Sequence, residues 1–400
     1  MARILFTVPP LTGHLNPALA VAAHLTAQGH RVAWAVHAKQ IGDKLPPRSW
    51  VYPLDAEDDT PALAAPAVRG LESVRLFFED YTLPMAERML RPMEAITRSF
   101  RPDVMVVDHQ MPGGALVARK VGLPWATMVT TTASILKMSP MLDVWVAQQY
   151  QGLQRRYLEP ELVVERPDLS PHKAIVFSIE SLPGEAQARL PAPYVFVGPA
   201  HGDGRRPVDF PWHWLQPDSK KLLISLGTIS RDRDTRFFEV MMAALAELPQ
   251  VQAVMVAPES LAAQAPPNVL VRNYIPQLEL LDRVDGVICH AGHNTVCEAL
   301  SRGLPLIVAP IRDDQPVIAR QVIDAGAALF MRHGKVSPAV AKASIESLLS
   351  TPSLSENARR LGSDLQLAPG AAGAALEILE LAELPHSQSQ PARPVLAKVA

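Results

Sequence analysis

Short uninterrupted apolar runs alternate along the whole chain with longer stretches whose apolar positions recur every three or four residues. Such alternation is expected of parallel strands joined by helices that cover the sheet. Arg3 to Val8 is the first apolar run, Pro17 to Gln28 has helical spacing through Leu19, Ala22 and Ala23, and Arg31 to Val36 is strand-like again. Together these predict a βαβ unit. Asn16 is placed to cap the helix, Pro17 suits a first turn where its missing N–H costs nothing, and Gly29 can take the left-handed closing position. Val104 to Val107 is apolar without a break, as a strand buried on both faces requires, and it ends in Asp108 ahead of the turn residues Pro112-Gly113-Gly114. Asp108 is therefore expected at a strand's carboxyl edge.

Periodicity lapses from Gly198 to Ser219, a stretch rich in Gly, Pro, Arg and Asp that reads as an interdomain linker. Beyond it the alternation restarts. Strands are predicted at Leu222 to Leu226, Val251 to Val256, Val269 to Arg272, Gly286 to Cys289 and Leu306 to Ala309. Helices are predicted near Thr235 to Leu248, at Asn294 to Arg302 with Gly303 closing it, and at Pro316 to Asp324. The expected fold class is α/β, with two doubly wound Rossmann-like domains facing each other across a cleft. The first would span residues 1–205 and the second 206–384, with a disordered tail over 385–400.

Composition narrows the function classes. A length of 400 residues suits two medium domains, and 40 acidic against 38 basic residues leave a formal charge of −2, which disfavours a nucleic-acid partner. The N-terminal apolar run is too short for a signal peptide, and Val121 to Ala147 is interrupted by Thr130-Thr131-Thr132, Lys137, Pro140 and Asp143, so no membrane-spanning helix is expected. Cys289 and Cys297 stand eight apart with no companion set at zinc spacing, consistent with a reduced, cytoplasmic setting.

Ligands of open parallel sheets bind beyond the carboxyl ends of the strands. The run from Val287 to Glu298 passes from a buried strand through a glycine turn into a helix start, where free N–H groups and the helix dipole favour an anion such as a diphosphate. His290, Asn294 and Thr295 would add side-chain donors; Asn294 or Thr295 acting simply as a helix cap is the plainer alternative. A histidine side chain is the usual general base at neutral pH, so His14, after the first strand, could take that role, and Asp108 could hold its tautomer. Read alone, a lone histidine and a strand-end aspartate are more often structural than catalytic, and His109 could compete for Asp108's part. Asp313-Asp314 reads as an exposed turn with a helix cap or as a metal-binding pair. The second is set aside, because helix N-termini and neutral donors already provide for a diphosphate. The first βα turn, Pro9-Pro10-Leu11-Thr12-Gly13-His14, lacks the G-x-G-x-x-G fingerprint of a dehydrogenase.

Tyr274-Ile275-Pro276-Gln277, the run from His290 to Glu298, Gly303-Leu304-Pro305 and Asp313-Asp314-Gln315-Pro316 follow one another in a distinctive order and spacing. That pattern resembles the donor signature of UDP-dependent glycosyltransferases of the GT-B fold. The family includes plant natural-product, bacterial macrolide and zeaxanthin glycosyltransferases. Gly13-His14-Leu15-Asn16-Pro17 extends the similarity to the N-terminal half.

The resemblance implies that Tyr274 stacks on uracil, with Ile275 beside it, that Gln277 contacts the nucleoside and that Glu298 accepts from the ribose hydroxyls. It further implies diphosphate contacts at His290, Gly292, Asn294 and Thr295, a phosphate-facing loop at Ser225, Gly227 and Thr228, and sugar contacts at Asp314 and Gln315. His293 stands where plant members carry tryptophan. The implied catalytic residues are His14 and Asp108, and the implied co-substrate is a UDP-sugar such as UDP-glucose, with no further cofactor and no metal.

With one base in the cleft and no second carboxylate placed for a covalent intermediate, inversion at the anomeric carbon is expected. The acceptor would be an apolar, hydroxylated small molecule lodged in the first domain near Leu76, Phe77, Phe78, Leu83 and Met85, and Ile135, Leu136, Met138, Met141, Leu142 and Trp145. Met85, Met89 and Met93 at i, i+4 spacing read better as core. A monomer or homodimer is expected. Two alternatives stay open: a membrane-surface enzyme acting on a lipid-linked acceptor, and a non-catalytic activator that retains the fold.

Overall fold

Each apolar run becomes a strand, and every strand pairs in parallel. The computed structural model describes residues 1–41, 44–54, 71–137, 139–184, 188–200, 208–227 and 235–385. In the first half β1 (Arg3–Thr7), β2 (Arg31–Val36), β3 (Trp50–Pro53), β4 (Val104–Asp108), β5 (Trp125–Val129), β6 (Lys173–Val176) and β7 (Tyr194–Phe196) form one sheet in the order β3-β2-β1-β4-β5-β6-β7. In the second half β8 (Lys220–Ser225), β9 (Val251–Val256), β10 (Val269–Arg272), β11 (Gly286–Cys289), β12 (Leu306–Val308) and β13 (Ala328–Phe330) run β10-β9-β8-β11-β12-β13. The strand order reverses between β1 and β4 in one sheet and between β8 and β11 in the other. These reversals are the topological switch points where doubly wound folds open a crevice.

Helices cover both faces. The first sheet packs on one side against α1 (Thr12–Ala27) and on the other against α2 (Leu83–Phe100) and α3 (Pro112–Lys120). Met85, Met89 and Met93 are buried in that second layer with Met105 and Trp125, so the methionine stripe is core. Pro112-Gly113-Gly114, expected as a turn, is instead the first turn of α3, with Pro112 at a position that loses no helical bond.

The first helix differs from expectation at its start. It begins at Thr12, with Leu11 as its cap residue and no side-chain cap, so Asn16 caps nothing and Pro17 lies inside the helix. An interior proline deprives the carbonyl four residues earlier, here Gly13, of its helical donor. That carbonyl instead accepts from Asn294 Nδ2 of the second domain at 3.0 Å. A proline is tolerated here because its cost is met from across the cleft.

The last helix returns to the first domain. Residues Gly370–Ala382 (α8 below, following α4 at Pro140–Arg155, α5 at Arg236–Ala246, α6 at His293–Leu300 and α7 at Gln315–Asp324) bury Ala371, Ala374, Ala375, Ile378 and Leu381 against the core of the first sheet. Lys173 pairs with Glu377 and Glu380 on the same helix. The expected tail lies, beyond Pro385, outside the described residues. Among the described residues no helix is long and apolar enough to cross a membrane.

Candidate active site

His14 and Asp108 lie at the carboxyl ends of the two strands that flank the first switch point, His14 on the helix after β1 and Asp108 on β4 itself. Asp108 ends β4 and is fully buried; His14 lies in the first turn of α1, not in the loop before it, and its side chain is 12% exposed. Their Nδ1 and Oδ2 atoms are 2.8 Å apart. Burial alone would push the Asp108 carboxyl up. The neighbouring imidazoles of His14 and His109, with the Gln110 N–H at 2.9 Å, outweigh it and hold the group below its ordinary range. An ionised Asp108 keeps the proton on His14 Nδ1 and leaves Nε2 as the basic atom.

His109 does not displace His14 from this pair. Its Nδ1 is 3.6 Å from Asp108 Oδ1, and its ring nitrogens meet the Met128 carbonyl at 3.2 Å and Ser134 Oγ at 2.8 Å. Burial lowers its pKa.

At the second switch point Ser225 ends β8, Gly227 lies just beyond it, and His290 follows β11. Thr228 lies outside the described residues. The Cε1–Nε2 edge of His290 sits tightly against both glycines: a Cβ at Gly292 would lie 2.6 Å from Nε2, and one at Gly227 would lie 2.7 Å from Cε1. Only glycine leaves room for the ring at either position. Burial lowers the His290 pKa to about 4, against the opposing pull of Asp314 and the Ser225 backbone. The ring is thus neutral at pH 7 with one N–H to give.

The cap residue of α6 is Gly292, which makes no side-chain cap, so Asn294 and Thr295 do not spend themselves closing the helix start. The amides of that first turn keep their capacity for an anion. His293 is turned away from solvent, its Nε2 3.3 Å from the Phe177 carbonyl of the first domain and 3.5 Å from Cys297 Sγ. The structure thus gives His293 an interdomain contact in place of an open ring edge.

The nucleoside positions divide in the same way. Gln277 Nε2 donates to Glu298 Oε2 at 2.6 Å, and Glu298 is buried, so these two meet. Tyr274 is 61% exposed and offers a free ring face, whereas Ile275 is packed into the second-domain core. A cleft between the domains is lined by Asn16, Pro17 and Phe177 on one side and by Asn294 and Glu298 on the other.

Asp314 is the cap residue of α7 but its side chain makes no cap. It accepts from Thr131 Oγ1 at 2.6 Å, across the domain boundary. Gln315 Oε1 accepts from the amides of Ile311 at 2.8 Å and Arg312 at 3.1 Å, which leaves the NH2 end for a ligand. Asp313 is left-handed at φ 54° and pairs with Arg312 at 3.3 Å.

The residues that sequence reasoning missed are Thr130, Thr131 and Thr132. Thr130 Oγ1 is 2.9 Å from His14 Nδ1, and Thr132 donates to Gln321 Oε1 on α7 at 2.6 Å. Their signal was three hydroxyls in a row directly after a strand. Of the residues expected to line an acceptor pocket, Phe78 meets Trp145 and Tyr150 edge-on, Ile135 and Leu136 are core, Met141 is 82% exposed, and Met138 lies outside the described residues.

Residues 239–381 match the Erythromycin biosynthesis protein CIII-like, C-terminal domain family. The chain is 27% identical over 402 residues to demethyllactenocin mycarosyltransferase of Streptomyces fradiae, covering 94% of this chain and 85% of that one. It is 25% identical over 408 residues to an uncharacterized UDP-glucosyltransferase, YojK, of Bacillus subtilis, covering 95% and 97%. The solved calicheamicin glycosyltransferase CalG4 superimposes with a TM-score of 0.76 at 24% identity, over 95% of this chain and 98% of that one. The chain has the GT-B fold and, by its likeness to these enzymes over nearly its whole length, is a glycosyltransferase.

Proposed function

We propose that the enzyme transfers a sugar from a UDP-sugar to a hydroxyl of an apolar small molecule, with inversion and without a metal ion. The observation that carries the reading is the hydrogen bond from Asn294 to the carbonyl of Gly13, the residue next to His14. It brings Asn294, which this reading gives to the diphosphate, next to His14, which this reading makes the base. His14 Nε2 takes the proton of the acceptor hydroxyl while Asp108 stabilises the imidazolium. The acceptor oxygen bonds to the anomeric carbon as the bond from that carbon to the diphosphate oxygen breaks, and the electron pair leaves with UDP. The α6 amides, Asn294, Thr295 and neutral His290 receive the leaving charge.

Gln277 and Glu298 are suited to a ribonucleoside, Glu298 accepting from the ribose hydroxyls and so favouring UDP over a deoxythymidine donor. The relatives named for glucose and for mycarose differ in sugar; the Asp314–Gln315 pair favours glucose here. Natural products are the acceptor class most consistent with the antibiotic glycosyltransferases among the relatives and with the aromatic cluster of Phe78, Trp145 and Tyr150. Incubation with UDP-glucose and a panel of hydroxylated aromatic and polyketide acceptors should release UDP and yield glucosides of β configuration. A product that keeps the α configuration of the donor would contradict the single-displacement mechanism.

A further inference from the structure

The three consecutive threonines after β5 each engage a different part of the cleft. Thr130 meets the base His14, Thr131 the carboxylate of Asp314, and Thr132 the side chain of Gln321 on α7. All three are buried, at 4%, 7% and 0% exposure. Adjacent residues are joined by a Cα–Cα step of about 3.8 Å, so Thr130 and Thr131 fix how far the base can stand from Asp314.

We propose that Thr131 is a positioning residue for the donor sugar: a first-domain hydroxyl that orients a second-domain carboxylate. The proposal rests on the reading of Asp314 as a sugar contact. Thr131 donates to Oδ2 of Asp314, which leaves Oδ1 to accept from a sugar hydroxyl. Asp314 receives no help from its own helix, since its side chain makes no cap. Its neighbour Asp313 is held apart by Arg312. A short hydroxyl-to-carboxylate bond is charge-assisted, and it restricts the rotation of an otherwise half-exposed side chain. Sugar recognition is thereby tied to the domain that carries the base, and the sugar is gripped fully only when both domains meet around it.

The test compares UDP-glucose with UDP by titration calorimetry, because Thr131 should matter to the sugar and not to the nucleotide. Thr131→Val, nearly isosteric, should weaken UDP-glucose about tenfold and leave UDP unchanged, and Thr131→Ser should recover affinity to within about threefold. In an Asp314→Asn background the valine substitution should add little, since the two residues act on one contact. Equal weakening of UDP and UDP-glucose would overturn the proposal by showing that Thr131 serves domain closure alone; unchanged UDP-glucose affinity in Thr131→Val would overturn it outright. If the valine variant does not fold, Thr131→Ala, which also removes the hydroxyl, takes its place in the cycle with Asp314→Asn, and full additivity overturns the proposal. A wild-type enzyme that binds UDP but gains nothing from the glucose overturns the sugar-contact reading of Asp314 and the proposal with it. One that binds neither ligand overturns the donor reading itself.

Discussion

Replacing Gly292 by alanine tests the placement of His290 with little else disturbed. The backbone there has φ −64° and ψ 130°, which any residue adopts, so the substitution carries no conformational cost of its own. The added Cβ would fall 2.6 Å from His290 Nε2 and 2.7 Å from Cε1. Comfortable contact needs about 3.5 Å, so the ring edge must retreat by about 1 Å. If His290 contacts the diphosphate as proposed, a displacement of this size costs on the order of 100-fold in turnover per substrate encounter.

Gly292→Ala should therefore lose about two orders of magnitude in kcat/KM for UDP-glucose, measured by UDP release, with a melting temperature close to that of the wild type. Gly227→Ala should lose activity as well, but at φ 75° it adds a left-handed backbone cost of about 1–2 kcal/mol and should melt earlier. Wild-type donor kinetics in Gly292→Ala would refute the assignment of His290 to the diphosphate.

Three further outcomes follow from the geometry. Pro17→Ala restores an N–H to the Gly13 carbonyl, which should stabilise the fold in denaturant titration by less than the about 3 kcal/mol of an unrescued interior proline, while weakening UDP binding, because Asn294 then has a competitor; a less stable variant would show that the proline ring's packing outweighs its missing N–H. With His290 held at about 4, below its ordinary 6.5, the unfolded chain takes up a proton that the folded chain refuses. Stability should then fall as pH drops from 6.5 towards 4, and His290→Gln should flatten that limb of the denaturation profile; an unchanged slope would contradict the shift. Ile378→Ala, in the helix that crosses back to the first domain, should cost about 2–5 kcal/mol, and a much smaller loss would show that α8 is dispensable to that core.

Much of this architecture was legible because buried parallel strands announce themselves as unbroken apolar runs. Val251–Val256, Val269–Arg272 and Gly286–Cys289 have the bounds their residues predict. Asp108 likewise falls at its strand's end because the run before it admits no polar residue. The start of α1 was not legible, since Asn16-Pro17 is the usual signature of a helix beginning and Asn294, which takes up the carbonyl that the interior proline leaves open, is 281 residues from that Gly13 carbonyl. The same limit hid the threonines. In sequence they merely interrupt an apolar stretch, and their meaning lies in Asp314 and Gln321, more than 180 residues on. His293 was legible as part of a motif but not in its orientation, which is set by a carbonyl of the other domain. Local pattern carries the elements; the contacts between domains that complete the cleft have no local signature.

The central claim is that His14 draws the proton from an acceptor whose sugar donor is held by the opposite domain. Wild-type and His14→Ala enzyme, assayed side by side for UDP release from UDP-glucose with a competent acceptor and for UDP affinity by calorimetry, test it most directly. Turnover should fall by at least about 1,000-fold in the variant, with UDP affinity within about threefold of wild type. Wild-type turnover in His14→Ala would contradict it.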